Sequence, residues 1–168
     1  MRSDTGSGAA GQGVLPMMEC LANLSEGRDE ALLQDLEAPI VAAGATLIDR
    51  QAEPVQHRAI LRFGGRPESV RAACLALTDL ASRRIDLRRH KGSHPRIGAV
   101  DLLPLVPLAG MDLPQAVEEA RTLAADLAER FQLPVYLAGE AALLPERRDL
   151  HALREGEYEG LAGQIAVD

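Results

Sequence analysis

The order in which apolar periodicities succeed one another limits this chain's fold more than any single motif. An apolar run at Met18–Leu24 is broken by Ser25-Glu26-Gly27. A helical stripe over Asp29–Ala43 follows, with Leu32, Leu33, Leu36 and Ile40 on one face, Pro39 as a kink and Gly44 closing it. Two further apolar runs, Ala45–Gln51 and Arg58–Phe63, are joined by a short polar connection and end at Gly64-Gly65. Pro67–Arg84 is the clearest helix: proline suits its first turn, and Val70, Ala73, Cys74, Leu77, Leu80 and Ala81 share a stripe. Ala99–Leu108 reads as a strand that Pro104 and Pro107 push to an edge. Asp112 and Gln115 form a capping box for a third helix to Arg130, followed by a short strand at Pro134–Gly139 and a short helix at Arg147–Arg154. The order βαββαβαβα predicts an α/β (α+β) protein, a ferredoxin-like α/β sandwich with a mixed β-sheet and helices mainly on one face.

Residues 1–16 are rich in glycine, carry no apolar signal segment and are expected to be a flexible leader. Residues 17–168 make one domain. With no Trp, two Phe and two Tyr, the core has to be aliphatic. A net charge of -7 argues against nucleic-acid and membrane-surface partners. No stretch approaches the ~18 apolar residues of a membrane span. Cys20 and Cys74 sit on apolar faces without a CxxC or Cys/His partner, so they read as core residues of a protein in a reducing, cytoplasmic setting.

Against this acidic background the segment Arg83–Arg96 carries six Lys/Arg and one acid, Asp86, a local charge of +5. It holds His90 and His94, with Lys91, Gly92, Arg96 and Gly98 beside them. The His90–His94 spacing would suit a metal only on a helix, which Gly92, Ser93 and Pro95 forbid, and no acid or cysteine completes a set; no metal is expected. Two readings remain, a pair of solvated loop histidines or a carboxylate-binding loop with one imidazole for proton transfer. In the second, the flanking cations would hold His90 neutral. Elsewhere the SEG turn is a helix entry or a ligand-binding turn, His57-Arg58 a loop end or part of a site, and Gly139-Glu140 a strand-end ligand group or a helix start. Gly156–Gly160 reads locally as a solvated acidic turn.

Taken together, ANLSEG, HRAILRF, IDLRRHKGSHPRIGAVD, PVYLAGEAA and LREGEYEGL resemble the glutamate formimidoyltransferase family, over its N-terminal subdomain only. The likeness runs from about Met18 to about Leu161, and HKGSHPRIGAVD is its most specific part. The resemblance implies transfer of a formimino group from N-formimino-L-glutamate to N5 of tetrahydrofolate, the latter as co-substrate. It makes His90 the catalytic base and acid. Asn23, Ser25, Glu26, Gly27, Gln51, His57, Arg58, Lys91, Gly92, His94, Arg96, Gly98, Gly139 and Glu140 become residues that hold folate or the carboxylates of formiminoglutamate.

Members carry a second subdomain, so a homodimer or a separately encoded C-terminal subdomain is the expected partner. The sequence departs from the family pattern at Gln51, where an aspartate assists the histidine, and at His57-Arg58-Ala59, where Asn-Arg-Thr is usual. His57 and Asp49 are the candidates to compensate. The alternative is a non-catalytic folate- or carboxylate-binding subunit, or a structural one, that has lost turnover.

Overall fold

The computed structural model describes residues 14–160, so of the expected leader only residues 14–16 fall within it. β1 (Met18–Leu24) is the central strand, buried along most of its length. Its Met18, Cys20, Ala22 and Leu24 are fully buried and face the helices. β2 (Thr46–Glu53) and β3 (Arg58–Gly65) form a hairpin with a register shift between Leu47 and Asp49. β3 pairs with β1 over the whole strand, from Met18 opposite Gly65 to Leu24 opposite Ala59. The other edge of β1 is shared by β4 (Val100–Leu102) and β5 (Leu105–Pro107). These are the two halves of the expected edge strand, interrupted at Pro104, whose carbonyl accepts from the Leu21 amide. The sheet order β2-β3-β1-β4 is that of a split βαβ sandwich, and each pairing among the described residues is antiparallel.

Helices α1 (Glu30–Ala42), α2 (Pro67–Arg84) and α3 (Leu113–Phe131) lie in a row over the Met18–Leu24 face. α1 is capped by the Asp29 carboxylate on the Leu32 amide and buries Leu32, Leu33, Leu36 and Ile40, the stripe expected from sequence. α2 seats Cys74 against Cys20, sulfur to sulfur 3.7 Å, which fastens it to the central strand. The Asp112–Gln115 capping box forms at the start of α3. Burying an aliphatic side chain of this size is worth about 1.5–3 kcal/mol, so a core of leucines, valine, isoleucine and one Phe63 suffices without tryptophan.

The expected strand at Pro134–Gly139 does not form. β4 and β5 already occupy the edge of β1 to which it would add, and Pro134 has no N–H to offer. The segment runs extended instead, past the left-handed Gln132 (φ 53°), into a 3₁₀ turn at Gly139–Ala141 packed on α3. The expected helix over 147–154 is a 3₁₀ turn at Pro145–Arg148 and a short α4 (Leu150–Leu153). No helix among the described residues is long and apolar enough to cross a membrane.

Candidate active site

This register gathers three connections at one end of the sheet. β1 ends at Leu24, opposite Ala59 of β3 and Val100 of β4. The SEG turn after β1, the β2–β3 turn at residues 54–57 and the basic loop before β4 are therefore neighbours. Hydrogen bonds join them: the Ser25 hydroxyl donates to the Gly98 carbonyl (2.7 Å) and the Ser25 amide to Ala99 (2.9 Å). Two glycines allow the close approach. A Cβ on Gly27 would lie 2.5 Å from the Arg58 nitrogen, and one on Gly92 would lie 2.1 Å from the Gln56 carbonyl oxygen.

His90 sits where these loops meet, buried. Its Nε2 is 2.8 Å from the His57 carbonyl oxygen, an atom that only accepts, so Nε2 carries the proton. Nδ1 is then the basic nitrogen, and it has no partner among the described residues. Burial holds the His90 imidazole below its ordinary pKa, and the charges of His57 and Arg96 act in the same direction; the carbonyl bond and Glu26 oppose them. The outcome is a neutral histidine, as base chemistry requires. His57 stacks on it, ring centroids 4.2 Å apart and planes 8° from parallel. His57 Nε2 in turn lies 3.1 Å from Glu26. The same Glu26 oxygen accepts from the Gly27, Arg28 and Asp29 amides at 2.7–3.0 Å. Burial works against the Glu26 charge, but these amides and His57 hold its carboxyl below the usual range.

Arg96 is buried and turns to the chain's own carboxylates. Its guanidinium meets Glu157 at 2.5 Å and Glu159 at 2.8 Å, and its backbone carbonyl accepts from the Tyr158 amide. A cleft of about 430 Å³ opens between these groups, lined by His90, Lys91, Gly92, Arg96, Gly156, Glu157 and Glu159. Behind it, Asp101 accepts from the Ile97 amide (2.7 Å) and pairs with Arg154, which fixes the descending arm of the loop.

The fold thus brings together His90, Lys91, Gly92, Arg96 and Gly98 with Ser25, Glu26, Gly27, His57 and Arg58. His94 belongs to the same cluster, its Nε2 3.5 Å from Arg58 Nη1, and burial with the Arg58 charge lowers its pKa. Four expected residues lie apart from His90. Asn23 bonds within its own strand, to the Leu21 carbonyl. Gln51 bonds Asp49 on the exposed face of β2. Gly139 and Glu140 stand in the 3₁₀ turn against α3, along a different groove. Glu157 and Glu159 were not among the expected site residues; the one signal for them was the placement of the GEYEG segment in the resemblance. Among the described residues no group of three or more His, Cys, Asp or Glu is placed to hold a metal.

Residues 17–168 match the family model described as "Formiminotransferase domain, N-terminal subdomain". The chain belongs to the formiminotransferase family. It is 40% identical over 150 residues to formimidoyltransferase-cyclodeaminase of Rattus norvegicus, a match covering 89% of this chain and 28% of the relative. It is 32% identical to glutamate formimidoyltransferase of Streptococcus pyogenes serotype M1, covering 89% and 50%. The same-named protein of Thermoplasma acidophilum is 33% identical, covering 86% and 48%. This formiminotransferase subdomain therefore spans half or less of the length of these curated relatives.

Proposed function

We propose that this subdomain supplies the proton-transferring half of a formimidoyltransferase, which moves a formimino group from N-formimino-L-glutamate to N5 of tetrahydrofolate. The observation that supports this best is the state of His90: neutral, its Nε2 committed to a carbonyl, its Nδ1 buried and unpaired, and its residue on the wall of a cleft that also holds Lys91 and Arg96.

In the reaction, the N5 amine attacks the formimino carbon and gives a tetrahedral intermediate. Breaking the bond from that carbon to the glutamate nitrogen then releases glutamate. N5 must lose one proton and the departing nitrogen must gain one, so a single neutral imidazole balances both transfers. Positioned acid–base help of this kind is worth roughly 10²–10⁴ in rate. Lys91 supplies a cation for the substrate's carboxylates, while the Arg96 fork, engaged by Glu157 and Glu159, holds the turn that walls the cleft. A second subdomain, as a separate chain or by dimerisation, completes the cleft.

A non-catalytic carboxylate-binding role is the second reading. It is favoured by Gln51, which bonds Asp49 and stands where the family pattern has an aspartate. The deciding assay is formimino transfer to tetrahydrofolate by the chain alone and with a chain supplying the second subdomain. The wild type is expected to turn over in the completed pair, and His90→Ala to fall by about 10²–10⁴. Absence of turnover in both states, with folate still bound, selects the second reading.

A further inference from the structure

His57 stands where the family pattern has asparagine, and a turn residue needs no imidazole. Yet this residue is held by two side-chain contacts and a constrained backbone. Its ring lies flat on His90 at 4.2 Å, its Nε2 reaches Glu26 at 3.1 Å, and its backbone adopts a left-handed φ of 54°. That conformation, uncommon outside glycine and, less so, asparagine, aspartate and histidine, belongs to the residue whose carbonyl receives His90 Nε2 at 2.8 Å. Glu26 is itself fixed by three backbone amides, so the anchor is rigid. The Gln56 carbonyl lies where a Cβ on Gly92 would fall, so the turn bearing His57 is pressed against the loop bearing His90.

We propose that His57, anchored by Glu26, is a positioning residue for His90: its ring sets the plane of the His90 imidazole, and its carbonyl sets the tautomer that leaves Nδ1 as the proton-accepting atom. The inference deepens the formimidoyltransferase reading and rests on it for the catalytic use of Nδ1; the geometry of the pair stands apart from any turnover. The charged and titratable groups facing His90 are His57 from the β2–β3 turn, Glu26 from the SEG turn, Lys91 and Arg96 from its own loop, and Glu157 and Glu159 from the C-terminal turn. Of these, His57 alone stacks on the ring. Removing it takes away both shielding from water and a like charge, and each loss makes protonation of His90 easier.

The test is imidazole NMR on the chain itself. Long-range proton–nitrogen correlation on the wild type is expected to show His90 protonated at Nε2; protonation at Nδ1 would overturn the proposal without any variant. His57→Asn keeps a residue at ease in the left-handed turn and deletes the ring. His57→Phe keeps a ring and deletes the nitrogens. With the backbone amide spectrum otherwise preserved, H57N is expected to move the His90 Hε1 resonance out of its ring-current position and raise the His90 titration midpoint. H57F is expected to retain the ring-current position while the midpoint still rises. Unchanged His90 resonances and midpoint in H57N would sink the proposal.

In the completed enzyme, H57N shifts the acidic limb of the kcat/KM profile to higher pH, a change that a merely structural loss would not produce. Absence of turnover in the wild type, with the NMR result as expected, would retire the reaction and leave the pair.

Discussion

Gly92 lies under the Gln56 carbonyl so closely that a methyl group in place of its hydrogen would sit 2.1 Å from that oxygen. The neighbour is backbone, which cannot swing aside as a side chain can. The contact presses the catalytic-loop candidate against the β2–β3 turn and keeps His90 under His57.

Gly92→Ala is therefore expected to cost about 1–3 kcal/mol as an overpacked contact. It should also broaden or split the His90 imidazole resonances. Gly139 is the control: its φ is +58° but nothing lies within 4 Å of its would-be Cβ, so Gly139→Ala bears only the left-handed backbone cost, about 1–2 kcal/mol. Urea midpoints for the two variants, read beside the His90 resonances, check both statements. Equal perturbation of His90 by the two would contradict the packing argument.

Much of this arrangement was open to reading in the chain. Stripes such as Leu32, Leu33, Leu36, Ile40 and the Asp112–Gln115 box dictate helices because every polar alternative at those positions would leave the apolar face wet. The basic loop with His90 was equally visible, since two glycines, two histidines and a proline next to an apolar strand cannot form a regular element. Pro134–Gly139 misled because a short apolar run has the same appearance whether it pairs with a strand or lies against a helix, and only the prior claim of β4 and β5 on β1 decides it. The pairing of Arg96 with Glu157 joins residues 61 apart, and the His57–His90 stack depends on where a hairpin turn lands; neither leaves a local pattern.

Arg96 also tethers the C-terminal turn. Its planar fork serves Glu157 and Glu159 together, while a lysine ammonium would hold one oxygen at a time. Arg96→Lys is expected to raise the rate of limited proteolysis within residues 154–160 several-fold and leave cleavage elsewhere unchanged. Arg96 bonding, followed by its charge, holds the Glu159 carboxyl below its ordinary value. The tether's contribution is accordingly present above an ordinary glutamate pKa of about 4.3 and is lost as pH falls through the lower folded value. Proteolysis of the wild type should rise on acidification below that point. A tether insensitive to both R96K and acid would mean that these ion pairs do not hold the turn.

Asp101 is the loop's second fastening. Its side chain is 2% exposed, accepts the Ile97 amide and faces Arg154. Asp101→Ala removes both partners at once and strands a largely buried guanidinium, so a loss of about 3–5 kcal/mol is expected, as for breaking a buried pair. Asp101→Asn should recover part of it, because the amide oxygen can still accept from Ile97. Chemical denaturation of the two variants checks this; an alanine cost below about 1 kcal/mol would show that the Arg154 contact is solvated and that Ile97 finds another acceptor.

His90 and His94 together give the fold a pH dependence whose sign is fixed. Burial lowers both imidazoles, aided at His90 by His57 and Arg96 and at His94 by Arg58 and Arg154. A group with a folded pKa below its unfolded value binds protons more readily in the unfolded chain, so stability is full above the unfolded histidine value of about 6.5 and declines as pH falls from there through the folded values. Urea midpoints should be level between pH 8 and 7 and drop between roughly 6.5 and 5. His90→Asn should flatten that drop in part, and the double variant with His94→Asn should flatten it further. The carboxylates of Glu26 and Glu159, also lowered, act at more acidic pH, so their contribution is separable. A midpoint that holds steady from pH 7 to 5 in the wild type would mean that neither histidine is protected from protons in the folded chain.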